Sequence, residues 1–260
     1  MSGLVGREEV PRERRRFVAL AGMHLDLHGL ECVDPTERYV VTPLHEGLAD
    51  VLALLRLPLD LRFAARDELF SWPSVGRYLA SARHPRIDTT PSVGSSLRFF
   101  REAGRVFEEG DSLLVFAQGS ILGLEVAFRS GAMRVARRFG RPLLPVVLTG
   151  SHRIWEHPFS PVIRFGQTVS MRVLDPIPPG LLDAAGFRHL ERDMKRMAME
   201  NAAAPPRRYR PERDGWWDGY GLEIDPDFPD LRARLAAHRM AVAAGASPVG
   251  GSGTGASSPS

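Results

Sequence analysis

"VVTPLHEGLAD", residues 40–50, is the stretch from which the rest of the chain can be read. Val40, Val41 and Leu44 make an apolar, β-branched run that reads as a buried strand. The strand stops at a polar turn bearing His45 and Asp50. Leu48, Val51, Leu52 and Leu55 then recur at the i, i+3, i+4, i+7 spacing of a helix with one apolar face.

The same alternation runs outward from this point. "LDLRFAA" (59–65) alternates like a strand with one wet face, and "SSLRFFREAGRVF" (95–107) puts Leu97, Phe100 and Phe107 on one helical face. "SLLVFA" (112–117) is a strand, and "GAMRVARRFG" (131–140) is a helix with Gly140 placed to end it. "RPLLPVVLTG" (141–150) is a strand, a further strand falls near 161–174, and Phe187, Leu190, Met194 and Met197 mark a last helix. Apolar runs alternating with helical segments predict an α/β fold: a mostly parallel central sheet flanked by helices.

With 260 residues, 43% hydrophobic and 25% charged, the chain is long enough for one domain with appendages. Its single cysteine, Cys32, excludes a disulfide framework and a CxxC-type metal or redox site, which fits a reducing compartment. Asp50, Arg56, Pro58 and Asp60 interrupt the leucine-rich 48–61 stretch, so it cannot span a bilayer, and no run has a signal-peptide pattern. The net charge is +3 and Lys195 is the only lysine. The arginines cluster in "REEVPRERRRF" (7–17) and "PPRRYRPER" (205–213), patches suited to phosphates of an anionic lipid surface. Nucleic acid is not an expected partner, because no known binding motif accompanies these arginines. The expected organisation is a basic arm (1–16), a catalytic domain (17–200), an Arg/aromatic extension with Trp216, Trp217 and Tyr220 (201–240), and a disordered Gly/Ser/Ala tail (241–260).

If the strands are parallel, three polar groups project from one edge of the sheet: His45, the pair Arg86 and Asp88, and Gln118-Gly119-Ser120. Asp50, in the first turn of its helix, can reach back to orient the His45 imidazole as a base. The same spacing also suits a core histidine and a first-turn carboxylate favoured by the helix dipole. No GxSxG is present, so the nucleophile is expected to come from the substrate. His24, Asp26 and His28 alternate as a strand, and no metal site is expected from them. His152, Arg153 and Glu156 follow a strand toward the same edge.

"HEGLAD" resembles the H-x4-D signature of the glycerolipid and lysophospholipid acyltransferase family. "RDELFSWPSVGRYLASARHPRID" (66–88), "LLVFAQGSILGLEVAFRSGAMRVARRFGRP" (113–142) and "LLPVVLTGSH" (143–152) are similar to its later blocks, in order. The resemblance implies a glycerol-3-phosphate acyltransferase-like fold and acyl transfer from acyl-CoA or acyl-carrier protein to the hydroxyl of a lysophospholipid, as in phospholipid biosynthesis. It implies His45 as general base with Asp50 orienting it, Arg86 on the acceptor's phosphate, and Gln118, Gly119 and Ser120 at the substrate. Backbone donors near Gly119 would face the oxyanion, and Pro145 would shape the pocket wall. No metal or prosthetic group is implied, and the enzyme is expected in the cytoplasm, peripheral on the inner face of the cell membrane. The third block departs from the family's E-G-T-R, with Gln118 for the glutamate and Ile121 for the arginine; Arg129, Arg134 and Arg153 are the nearby cations. The rivals are a lipid-binding or regulatory protein of the same fold, an anionic-polymer binder, and a hydrolase using water as acceptor.

Overall fold

Alternation along the strands builds two main cores, beside a smaller third cluster around Leu44, Val147 and Met194. Val41, Leu114, Leu144, Val146 and Leu148 pack to one side of the sheet, and Val40, Leu113, Val115 and Leu143 pack to the other. A computed structural model supplies the architecture and describes residues 22–47, 49–88, 92–120, 124–154 and 164–201, with isolated positions between 226 and 244. The basic segments, the aromatic and tail segments, Ile121 and Glu156 lie outside the described residues.

The strands are β1 (His24–His28), β2 (Val40–Pro43), β3 (Leu61–Phe63), β4 (Ala65–Arg66), β5 (Arg86–Ile87), β6 (Ser112–Leu114), β7 (Leu143–Thr149) and β8 (Thr168–Val173). The helices are α1 (Asp50–Leu54), α2 (Pro73–Ser81), α3 (Val93–Glu108), α4 (Gly131–Phe139) and α5 (Ala184–Asn201). Six strands form the central sheet in the order β1-β8-β7-β2-β6-β3. β7, β2, β6 and β3 are mutually parallel, while β8 runs antiparallel to β7 and pairs in parallel with β1. The sheet is therefore mostly parallel, and the ends of β7, β2 and β6 sit side by side.

Helices close both faces. Ala53 and Leu54 of α1 cover the first core, and Ala103, Val106 and Phe107 of α3, Ala132, Val135 and Ala136 of α4, and Phe187 of α5 cover the second. Burying each such leucine or phenylalanine contributes about 1.5–3 kcal/mol, so these faces carry the stability of the domain. α3 begins earlier than the apolar pattern indicates, because Ser92 and Ser95 cap it reciprocally. α4 ends at Gly140 in the left-handed conformation, as its position predicts.

Two features depart from the expectations. Arg86 belongs to a separate two-stranded sheet, β4-β5, and not to the edge shared by His45 and Gln118. After Phe63 the chain makes one further bond to the central sheet, Ala64 N–H to the Leu114 carbonyl. It then turns away, with the Ala65 N–H donating to Pro85. Lys195, read only as a rarity, is buried: it pairs with Glu191 at 2.8 Å and donates to the Val126 carbonyl at 3.2 Å. Glu191 also accepts the Phe128 N–H at 2.9 Å, so α5 grips the segment leading from β6 to α4.

His84 sits under this side sheet, 4% exposed, with Nδ1 accepting the Phe63 N–H at 2.8 Å. Burial, reinforced by the nearby Arg62 charge, pushes its pKa down from 6.5 to about 4. The folded protein keeps this imidazole neutral while the unfolded chain protonates it, so stability is full above pH 6.5 and is lost as pH falls toward 4. Thermal unfolding followed between these limits should show a flatter pH dependence for His84→Gln, whose carbonyl can accept the same Phe63 amide, than for the unsubstituted protein.

Candidate active site

β2 pairs with β7 through the Leu44 N–H, which donates to the Val146 carbonyl at 3.0 Å. At the next residue the ladder changes partner: the His45 N–H donates to the side-chain oxygen of Gln118, 2.6 Å away beyond the end of β6. The chain then bends so that the Glu46 and Gly47 amides point at one oxygen of Asp50, at 2.8 and 3.1 Å. That same oxygen, Oδ2, lies 2.7 Å from His45 Nδ1. Asp50 is wholly buried at the start of α1.

An oxygen already receiving two amide protons is a fixed acceptor, so Nδ1 carries the imidazole proton and Nε2 keeps its lone pair. The ring is further held by Phe116, stacked at 3.7 Å and 17°. The His45 side chain remains 13% exposed, so the free nitrogen has a route to a substrate. Spacing alone suits a core histidine as well as a catalytic pair; the contact and the residual exposure favour the pair.

The third-block residues fold under this ring. Gly119 takes a φ of 65°, a left-handed turn that suits glycine, and its N–H donates to the Phe116 carbonyl at 3.0 Å. The Gly119 amide itself is thereby committed to the turn. Gln118 is fully buried and Ser120 nearly so. The Gln118 carbonyl serves the His45 main chain, so the amide standing where the family has a glutamate has a positional use. Arg129 donates its N–H to Ala117 at 2.8 Å, and its guanidinium packs over Gly119, within 3.9 Å of where a Cβ would stand.

On the β7 side Glu46 is buried and its Oε2 accepts from the Gly150 N–H at 2.8 Å, with His152 Nδ1 at 3.1 Å. Burial raises the Glu46 pKa, opposed by the His152 hydrogen bond. His152 thus faces Glu46, Arg153 donates to the Thr168 carbonyl at 3.1 Å, and neither contacts His45. Phe116 and Glu46 are site residues that the sequence reading missed, although both lie inside stretches it quoted.

Arg86 stands apart. Its guanidinium pairs with Asp67 at 3.0 Å and lies 4.0 Å over the Phe70 ring. His24, Asp26 and His28 form strand β1 with an exposed His28–Asp26 contact of 2.9 Å, and no metal-holding cluster occurs among the described residues. A cavity of about 670 Å³ lies elsewhere, lined by Leu27, Cys32, Pro145, Arg172, Asp175 and Met197 among others. Pro145 is therefore part of a wall, but not of one beside His45. The cavity offers no activated nucleophile: the Cys32 thiol donates to Asp175 at 3.3 Å, and that bond raises its pKa. No helix among the described residues is long and apolar enough to cross a membrane.

Residues 24–149, from the first residue of β1 to the last of β7, match the sequence model of the family described as Acyltransferase. A 1-acyl-sn-glycerol-3-phosphate acyltransferase of Cocos nucifera is 28% identical over 145 residues, 54% of this chain and 46% of that protein. One of Bacillus subtilis (strain 168) is 25% identical over 114 residues, 43% of this chain and 56% of that protein. The chain spans about half the length of the curated relatives it matches. The crystal structure of the 1-acyl-sn-glycerophosphate (LPA) acyltransferase PlsC from Thermotoga maritima superposes with a TM-score of 0.60 at 21% identity, covering 77% of this chain and 81% of that one, a likeness of fold. The His45–Asp50 turn of this chain lies within the family match, and residues 24–149 form an acyltransferase-family segment.

Proposed function

We propose that this protein moves a fatty acyl group from the thioester of acyl-CoA or acyl-carrier protein to the hydroxyl of lysophosphatidic acid or a related lysophospholipid. The observation that carries this proposal is the His45–Asp50 pair: an oriented imidazole, 13% exposed, in contact with Asp50 and Phe116 and with no protein nucleophile on it among the described residues. A base without its own nucleophile suits a substrate that brings one. The acceptor hydroxyl donates its proton to Nε2 while its oxygen attacks the thioester carbonyl, and Asp50 stabilises the imidazolium that forms. The tetrahedral intermediate collapses by breaking the carbon–sulfur bond, and the departing thiolate takes the proton from Nε2.

The acceptor's phosphate falls to Arg129, beside Gly119, and to Arg86. The Arg86–Asp67 pair is exposed on both sides, 44% and 54%, and such pairs contribute about 0–1 kcal/mol, so a phosphate can displace Asp67 at small cost. The relatives' named substrate and the cationic flank of the turn together support a phosphorylated acceptor. The enzyme docks peripherally on the inner face of the cell membrane through the basic stretches at 7–17 and 205–213.

Labelled acyl transfer from acyl-CoA, and separately from acyl-carrier protein, to a lysolipid panel tests this mechanism. His45→Ala should abolish transfer, and Asp50→Asn should lower kcat about 10²- to 10⁴-fold with the protein still folded; transfer indifferent to His45 would move the weight to a binding role. Arg129→Gln should raise KM for lysophosphatidic acid about tenfold, the loss of one charge-assisted hydrogen bond, while sparing monoacylglycerol. Flotation with anionic vesicles should weaken on removal of residues 1–16; full activity without any vesicle association would refute the docking proposal.

A further inference from the structure

The mechanism leaves one buried acid unused. Glu46 directly follows the proposed base, is 3% exposed, and has its Oε1 atom buried without a partner among the described residues. Burying a carboxylate this incompletely satisfied is costly. Its remaining oxygen joins two turns 104 residues apart in the chain, taking the Gly150 amide at 2.8 Å and facing His152 Nδ1 at 3.1 Å. The two turns also touch directly: a Cβ on Gly47 would stand 3.2 Å from the His152 Cα and 3.3 Å from its nitrogen.

The forces on the turn divide cleanly. The bonds to Asp50 all lie within residues 45–50, so they fix the shape of the turn and the imidazole tautomer but not where the turn sits. Its placement on the β6 side comes from Gln118, through the His45 N–H. On the β7 side the side-chain tether is Glu46. The charged or titratable groups that face it are His152 and, through space, Asp50.

We propose that Glu46, gripped by the Gly150 amide and His152, is a positioning residue that sets the reach of His45 toward the acceptor hydroxyl; this rests on His45 being the general base. Glu46 touches no reacting atom and holds the base from behind, as Gln118 does from the side. A displacement of about 1 Å at a reacting group can cost about 100-fold in rate, so a tether of this kind matters even though the catalytic pair is intact without it.

Four variants and two readouts test the proposal. Glu46→Gln keeps an oxygen for both donors and should stay within a few-fold of the parent. Glu46→Ala, and Glu46→Asp with the charge kept but the reach one methylene shorter, should both lower kcat about 10- to 100-fold with KM nearly unchanged. Glu46→Ala combined with His152→Ala should be no slower than Glu46→Ala alone, because the two act as one unit. The imidazole ¹H–¹⁵N spectrum, with His45 assigned by His45→Gln, reads the same point without substrate: the Nδ1–H tautomer persists in every variant, while the ring-current shift that stacked Phe116 imposes on the His45 ring protons is parental in Glu46→Gln and changed in Glu46→Ala and Glu46→Asp. Glu46→Ala and Glu46→Asp with parental kcat per folded molecule and an unchanged His45 signal would overturn it. Absence of transfer by the unsubstituted protein overturns the mechanism above, and the imidazole spectrum then still decides whether Glu46 positions His45.

Discussion

One buried oxygen organises this site. Asp50 Oδ2 receives the imidazole of His45 and the amides of Glu46 and Gly47. The two amide bonds impose the curl of the turn, and the third bond selects the tautomer. Shape and chemistry therefore cannot be varied independently: a substitution that spoiled the acceptor would undo the turn that aims the base. A buried carboxylate is expensive unless its hydrogen bonds are made; the local chain satisfies Oδ2 within five residues of sequence, while Oδ1 is buried without a partner among the described residues.

The sheet supplies what the turn cannot. Because β7, β2 and β6 run side by side in one direction, their ends lie together, and the segments that leave β6 and β7 hold the His45 turn that follows β2. Gln118 takes the first amide from the β6 end, Phe116 supports the ring face, and the Gly150–His152 turn receives Glu46. The antiparallel β8 reverses this polarity, and its first residue, Thr168, backs the turn at Gly150 with its carbonyl, which accepts from Arg153 at 3.1 Å. α5 works at longer range, its buried Glu191 and Lys195 holding the Val126–Phe128 segment that leads toward Arg129.

Much of this was legible in the residues. β2, β6, β7 and the helices between them follow from apolar runs and 3.6-residue spacing, since burial on both faces leaves few alternatives for such runs. The His45–Asp50 contact was legible as a possibility because the two lie in one turn. The Gln118 and Glu46 bonds were not, because they join residues 73 and 104 apart and depend on strand order, which periodicity does not encode. Arg86 shows the converse. Its place at the shared edge was read on the premise of one parallel sheet, whereas the chain leaves the central sheet after Ala64 and pairs Arg86 with β4, against Asp67 and Phe70. Gln118 was weighed as a substrate contact, and its burial under the turn gives it a main-chain partner instead.

The buried Lys195 has a consequence for the whole surface. It is the chain's one lysine, so apart from the amino terminus every cationic group elsewhere is a guanidinium or an imidazole. Guanidinium groups keep their charge across the whole physiological range, whereas ammonium groups can be neutralised by acylation or titrated when desolvated. A protein proposed to handle activated thioesters, which acylate amines, thus presents no lysine amine for them to modify, and the positive face it would turn toward an anionic bilayer is permanent.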